Sequence, residues 1–413
     1  VKKKGRASPL SKIALAATSG ALTLLALEVV ARVERKLREP GKEAQETAIY
    51  HEFDPVLGWR LKPGARVTYR RREYTVEVAI NSHGLRDRER SYEAPAGTLR
   101  LLALGDSFIE AYTVPLEQTV TQVLETSLAN QSGCAVEALN GAVAGYSTDQ
   151  EYLFYLSEGV RYSPQIVLLF FYYNDIHYNN HFSYYGLPKP IFQVMADGLK
   201  LHPPRPLLKD QEKEEPAAEE EATESDEPHS ALLAFVEERL RQGAPQLHNR
   251  LAHWGFWEPL EVRPPHDTLR VYEQRTHAFI EEAWWRTAEI LKALAQEVSS
   301  RKARLVVVYV PSRMEVRDRS WEATRFVHGL DARWDRRLVA TRLTQAARSV
   351  GFPVLDLTPA LRETEESFRG SAYFTYDGHW TPAGHRAAAG AIADFLIANG
   401  WMGKPPSCQA PPL

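Results

Sequence analysis

The chain is poor in cysteine: 413 residues carry only Cys134 and Cys408. Two thiols so far apart form neither a four-ligand zinc site nor a disulfide framework; a bridge between them stays open outside the cytosol. There is also no basic stripe interleaved with aromatics. The 50 Lys and Arg residues are scattered among 53 Asp and Glu, net charge -3, so the electrostatic footprint of a nucleic-acid binder is missing. The one short basic run, Arg70-Arg71-Arg72, reads as a solvated hairpin tip. Long apolar runs are scarce too. The most apolar stretch, residues 13–27, stops at Glu28 and resumes at 29–31, which is short for a membrane span. It follows Lys2, Lys3, Lys4, Arg6 and Lys12 and lacks a small-x-small cleavage site. This pattern predicts a basic tail over 1–12 and an uncleaved transmembrane signal anchor over 13–33, with the tail in the cytoplasm and the remainder outside. Glu28 would sit at the headgroup level. A buried soluble helix is the competing reading.

What is present is a globular composition, 44% hydrophobic and 25% charged, in a chain long enough for a large core. Residues 34–94 read as a charged linker and a small β-rich lead-in, with turn signals at Asp54-Pro55, Pro63-Gly64 and Asn81-Ser82-His83-Gly84 around an alternating stretch at 67–80. From residue 95 to about 400 strands alternate with helices. Strands are expected at 100–104, 135–139, 166–171, 305–310 and 354–357. Helices are expected at 116–128, 148–156, 276–298, 336–350 and 382–398. The run at 166–171 is continuously apolar, as a strand covered on both faces requires. The alternation implies a parallel, doubly wound sheet. Residues 203–230 interrupt it with ten acidic and three basic residues. This stretch is expected to be a disordered insertion loop, the alternative being a docking segment for a protein partner. Residues 231–265 form an aromatic-rich insertion with Trp254, Phe256 and Trp257, either a satellite core or a cap over the site. Residues 401–413 are a Pro-rich tail.

Chemistry concentrates at strand ends. The first strand runs into Gly105-Asp106-Ser107, and far downstream comes Asp377-Gly378-His379-Trp380-Thr381. A serine at the carboxyl edge of a parallel sheet is placed to act as a nucleophile, His379 to take its proton, and Asp377 to orient the imidazole. Oxyanion donors are sought at neighbouring strand ends: the N–H of Ser107, the N–H of Gly145 after the second strand, and the amide of Asn174 after the third. The alternative for Gly-Asp-Ser is a plain turn. His177, His181 and Asp175 lack tetrahedral metal spacing and read as an ordinary loop; a metal shared by His379 and His385 is not expected. Asp356 is a fallback orienter or, more simply, a helix cap. Arg313 is either an anion contact or a surface salt bridge.

Ser107, Gly145, Asn174 with Asp175, and the Asp377/His379 pair occur in the order of the four blocks of the SGNH (GDSL-type) hydrolase family, which this chain resembles over residues 95–400. The lead-in, with Asp54-Pro55-Val56-Leu57-Gly58-Trp59 and Asn81-Ser82-His83-Gly84-Leu85-Arg86-Asp87, is similar to that of membrane-anchored bacterial members. The resemblance implies a three-layer, flavodoxin-like α/β fold with a parallel central sheet. It also implies ester hydrolysis or acyl transfer without metal or cofactor, at the inner membrane and facing the periplasm or cell exterior. Ser107 maps to the nucleophile, Gly145 and Asn174 to the oxyanion hole, His379 to the base. Two positions depart from the family: Tyr376 stands where its Asp usually lies, and Tyr173 precedes the Asn. The Asp-x-His-Trp arrangement is similar to alginate and cell-wall polysaccharide O-acetyltransferases. The expected substrate is an O-acyl, above all O-acetyl, glycan or small ester. The expected reaction is hydrolysis, with O-acetyl transfer and a non-catalytic glycan-binding scaffold as alternatives.

Overall fold

Five parallel strands, rich in β-branched and aliphatic residues, pair side by side in the computed structural model. The structure describes residues 9–37, 50–205, 230–257, 259–260, 262–275, 277–367 and 370–402. Most of the acidic insertion, 206–229, therefore lies outside the described residues, as does most of the tail. The chain divides into two units, Val1–Lys42 with Glu219–Glu261, and Glu43–Ala218 with Val262–Leu413.

In the first unit the anchor segment lies within one helix, Pro9–Leu37, which packs with the helix Ala231–Gly243, followed by Pro245–Ala252. Among the described residues no helix is long and apolar enough to cross a membrane, so the expected span over 13–33 is not shown. Glu28 reaches the start of the second helix. Its carboxylate accepts from Ser230 Oγ at 2.8 Å and from the Ala231 and Leu232 N–H groups at 3.0 and 2.9 Å. It thus caps the start of the second helix, where orphan donors and the dipole favour an anion. Of the aromatic cluster, Trp257 donates to the His248 carbonyl at 3.2 Å and packs on its ring, while Trp254 and Phe256 stay exposed.

The second unit begins with the β-rich lead-in as two antiparallel hairpins, β1 His51–Asp54 with β2 Gly58–Leu61, and β3 Arg66–Arg70 with β4 Thr75–Ala79. The parallel sheet follows: β5 Thr98–Leu104, β6 Ala135–Asn140, β7 Ile166–Tyr172, then, after two small hairpins (β8 Ser183–Tyr184 with β9 Leu187–Pro188, β10 Ile191–Met195 with β11 Gly198–His202), β12 Arg304–Val310 and β13 Val354–Asp356. Its order is β13-β12-β7-β5-β6. With β5 counted first this is 5-4-3-1-2, the flavodoxin-like doubly wound order, whose direction of winding reverses at β5.

Period-two alternation explains the three layers. Leu102 and Leu104, Val167, Leu169 and Phe171, and Leu305, Val307 and Tyr309 face one core. Leu101 and Ala103, Ile166, Leu168 and Phe170, and Val306, Val308 and Val310 face the other. Helices Thr148–Ser157, Ala278–Ser300 and Leu338–Val350 cover the first face, as do Trp59, Tyr69, Val76 and Val78 of the lead-in. Val120–Ser132, Thr358–Glu366 and Pro382–Ala398 cover the second. Strands buried on both faces need no polar alternation, hence the apolar runs.

Candidate active site

Ser107 stands where the sheet order reverses, at the first position of the short helix Ser107–Glu110. The turn into it is tight. A Cβ on Gly105 would lie 2.7 Å from Ile109 Cγ1 and 3.2 Å from Phe170 Cβ, so only glycine lets this helix close onto β5 and β7. Asp106 caps the helix, its Oδ1 accepting from Phe108 N–H at 2.9 Å. Burial pushes the Asp106 carboxyl up to about 6, against the Phe108 hydrogen bond and the His379 charge. The sign follows: a carboxyl with a raised folded pKa favours the fold below its unfolded value of about 4, and that advantage is lost as pH rises through about 6. Asp106→Asn keeps an acceptor for the cap and removes the ionisation. It is therefore expected to raise the melting temperature at pH 8 and leave it nearly unchanged at pH 4, read by thermal denaturation at both values.

His379 Nε2 is 2.8 Å from Ser107 Oγ, and its Nδ1 is 2.5 Å from Asp377 Oδ1. With the proton on Nδ1, toward the carboxylate, Nε2 keeps a lone pair for the serine hydroxyl. Local structure explains why His379 points this way. Thr381 caps Pro382–Ala398 through Ala383 and Gly384 N–H, Trp380 is fully buried, and the Phe108 ring packs 4.8 Å from the imidazole. Gly378, at φ +84, supplies the turn that folds Asp377 back onto the ring one residue beyond. Burial raises the Asp377 pKa, but the His379 charge, the His379 hydrogen bond and a hydrogen bond from Tyr74 outweigh it and hold the carboxyl at about 2.

The loops after β6 and β7 flank the serine, because β6 and β7 are the neighbours of β5. Gly141 N–H donates to the Ala103 carbonyl and Val143 N–H to that of Gly105, which draws residues 141–145 alongside the Ser107 turn. Gly145 has φ +79, and a Cβ there would lie 2.5 Å from the Tyr184 ring. Among the described residues neither the Ser107 N–H, the Gly145 N–H nor the Asn174 side chain makes a hydrogen bond, so all three remain to serve a ligand. Asn174 opens the short helix Asn174–Tyr178. Gly145→Ala combines a strained backbone with a ring collision; about a hundredfold loss of kcat, the scale of one lost oxyanion donor, is expected in esterase kinetics.

Several other residues take plainer places. Tyr173 packs on Tyr172 and Tyr272. His181 and His177 stack at 4.0 Å, with His181 Nδ1 on the His177 carbonyl. Burial drives His385 down to about 3, so it stays neutral. Asp356 accepts from Thr358 N–H at 2.8 Å, at the start of Thr358–Glu366. Cys134 is disulfide-bonded. Two expectations are corrected. Arg313 is no surface ion pair: it donates to the Phe374 and Thr375 carbonyls in the loop before His379. The Arg70-Arg71-Arg72 hairpin tip is not merely solvated: the Arg72 guanidinium lies 3.3 Å over the Tyr376 ring.

Sequence reasoning missed the braces from the lead-in. Trp59 Nε1 donates to the Ala144 carbonyl at 3.0 Å, and Tyr146 hydroxyl donates to the Trp59 carbonyl at 2.6 Å. Buried Glu110 accepts from Ala144 N–H at 2.6 Å and from Tyr50 hydroxyl at 3.1 Å. Glu73 and Tyr74 reach the Asp377 loop. The only signal was the resemblance of the Asp54–Trp59 and Asn81–Asp87 blocks to other lead-ins.

Residues 271–408 match the family model described as SGNH hydrolase-like domain, acetyltransferase AlgX. The match includes Asp377 and His379; Ser107, Gly145 and Asn174 precede it. No curated protein matches. Among solved structures the chain is similar to a putative lipolytic protein of the G-D-S-L family from Desulfitobacterium hafniense DCB-2, at 10% identity and TM-score 0.34, covering 72% of this chain and 99% of that one. It is similar to a catalytic mutant of an acetylxylan esterase from Geobacillus stearothermophilus, at 12% identity and TM-score 0.37, covering 74% and 94%. It is also similar to an alpha/beta hydrolase from the metagenome of Lake Arreo, Spain, at 13% identity and TM-score 0.38, covering 75% and 97%. Over residues 271–408, which hold the Asp377/His379 pair, the chain is similar to the SGNH hydrolase-like domain of the acetyltransferase AlgX.

Proposed function

We propose that this protein removes or moves O-acetyl groups of a glycan or small ester through an acyl-enzyme on Ser107. The observation that carries the reading is the unbroken chain Ser107 Oγ, His379 Nε2, His379 Nδ1, Asp377 Oδ1, with links of 2.8 and 2.5 Å. Ser107 Oγ attacks the ester carbonyl carbon as its proton passes to His379 Nε2. Negative charge gathers on the carbonyl oxygen, where the Ser107 and Gly145 N–H groups and the Asn174 amide are assigned to meet it. Collapse breaks the C–O bond, and the leaving alkoxide takes the proton from His379. A second hydroxyl compound then gives up its proton to His379 and attacks the acyl carbon, the bond to Ser107 Oγ breaks, and the departing serine oxygen takes the proton back from His379, restoring the enzyme. If that compound is water the outcome is hydrolysis.

Transfer to a sugar hydroxyl is the second reading, favoured by the match to an acetyltransferase domain. Turnover of p-nitrophenyl acetate with and without oligosaccharide acceptors separates the two. Acetylated acceptor decides for transfer, free acetate alone decides for hydrolysis, and saccharide binding without any ester turnover leaves the scaffold alternative.

A location outside the cytosol, anchored by residues 13–33, belongs to this proposal. The disulfide at Cys134 supports an oxidising compartment. The helix Pro9–Leu37 exposes Leu22, Leu24, Leu25, Val29, Val30 and Val33, side chains a bilayer would cover. Alkaline carbonate extraction of membranes tests it: retention in the pellet supports the anchor, release into the supernatant rejects it.

A further inference from the structure

The loop that carries Asp377 and His379 is closed at its base by the Tyr373–Trp380 bridge, with Phe374 N–H donating to the His379 carbonyl at 2.8 Å, and a hairpin three hundred residues earlier in the chain holds residues 374–377 within it. Between β3 and β4 the turn presents Glu73 and Tyr74. The Glu73 carboxylate accepts three successive backbone N–H groups, from Thr375 and Tyr376 at 2.7 Å and from Asp377 at 3.2 Å. Tyr74 hydroxyl donates to Asp377 Oδ2 at 2.6 Å, and its ring packs 5.2 Å from Phe374. Arg72 lies over Tyr376, and Arg313 donates to the carbonyls of Phe374 and Thr375.

The short spacing of the pair makes such a brace necessary. Asp377 sits two residues before His379, and its Oδ1 takes both the imidazole Nδ1 and the backbone N–H of His379, at 2.5 and 3.2 Å. Both contacts fall on one oxygen and both belong to the same residue, so by themselves they leave the carboxylate free to swing about its χ2 axis. The contact to Oδ2 from another element removes that freedom. A buried carboxylate oxygen facing no donor would also be costly, and the Tyr74 hydroxyl supplies one.

We propose that Tyr74 is a positioning residue of the site, acting through Asp377, and that Glu73 holds the backbone of the same loop in register. The lead-in hairpin is thereby part of the active site. The inference rests on the acyl-enzyme reading for its kinetic consequence, though not for its structural one.

The test uses the full chain and three variants: Tyr74→Phe, Asp377→Ala and the double substitution. Tyr74→Phe keeps the ring against Phe374 and deletes only the hydroxyl. It should lower kcat for p-nitrophenyl acetate about tenfold, the scale of one coupled contact, with KM within about twofold. On top of Asp377→Ala it should lower kcat no further. A tenfold loss that persists without the Asp377 carboxylate, or a kcat that Tyr74→Phe leaves unchanged, would overturn the proposal. A wild type without turnover would instead reject the esterase reading, so a substrate-free measurement accompanies the kinetics. The far-downfield proton resonance of the His379–Asp377 hydrogen bond should shift or broaden in Tyr74→Phe, and backbone amide exchange at residues 375–377 should speed in Glu73→Ala. An unmoved resonance with unchanged exchange overturns the proposal whether or not the chain turns over esters.

Discussion

Ser107→Ala is expected to lower turnover of an activated acetyl ester by about 10⁴- to 10⁶-fold, the range in which serine hydrolases lose their nucleophile. The fold should be untouched. The serine side chain is only half-buried at the start of a short helix, and that helix is capped by Asp106, not by Ser107. The substitution removes one hydroxyl whose partner is His379. The melting temperature should therefore stay close to that of the wild type, and saccharide binding, if measured in parallel, should persist. Residual turnover would report what the oxyanion donors and substrate positioning achieve without covalent chemistry.

Asp377→Asn is expected to cost about 10⁴-fold in kcat with little effect on KM. The reason is the tautomer. The carboxylate accepts from Nδ1, so Nε2 faces Ser107 with its lone pair. The Asn amide can turn its NH₂ group toward Nδ1, which moves the ring proton to Nε2 and leaves the serine with no base. The carboxylate also stabilises the imidazolium that forms when Ser107 attacks, a favour the neutral amide cannot return. Asp377 is ionised over the whole physiological range, with its pKa held at about 2. Being lower in the fold than in the unfolded chain, this pKa also contributes stability that is present above about pH 4 and lost as pH falls toward 2. Steady-state kinetics of the variant at neutral pH check the rate loss, and a KM change without a kcat change would contradict it.

Much of the sheet could be read in the sequence because burial on both faces leaves an unmistakable trace. Ile166–Tyr172 is apolar throughout, and the structure makes it the strand between β5 and β12. The helix Pro382–Ala398 was equally plain, since Pro382 stands at its first turn. Ser107 stood out because a small polar turn ends an apolar strand, and His379 because Asp377 stands two residues before it.

What stayed hidden has its cause in long-range contact. Three arginines in a row look solvated in one dimension, since nothing near them in sequence offers a partner. Their hairpin meets residues 375–377 only when β3 and β4 pack against the first core. Arg313 carries no local sign that its acceptors are carbonyls more than sixty residues on. Glu28 breaks an apolar run, and nothing near it in sequence shows that it meets a helix start about two hundred residues away. The helix Asp318–His328 and the hairpins β8–β11 were not foreseen either, because their faces are half-exposed and lack a clean period.

The central claim is that Ser107 becomes acylated. Mixing the enzyme with p-nitrophenyl acetate, quenching in acid within the first turnovers and mapping the peptides by mass spectrometry tests it most directly. The account predicts one added acetyl group on the peptide containing Ser107 and none on that peptide in Ser107→Ala. Ester cleavage at the wild-type rate with no acetyl on Ser107, or with the acetyl on another side chain, would contradict it.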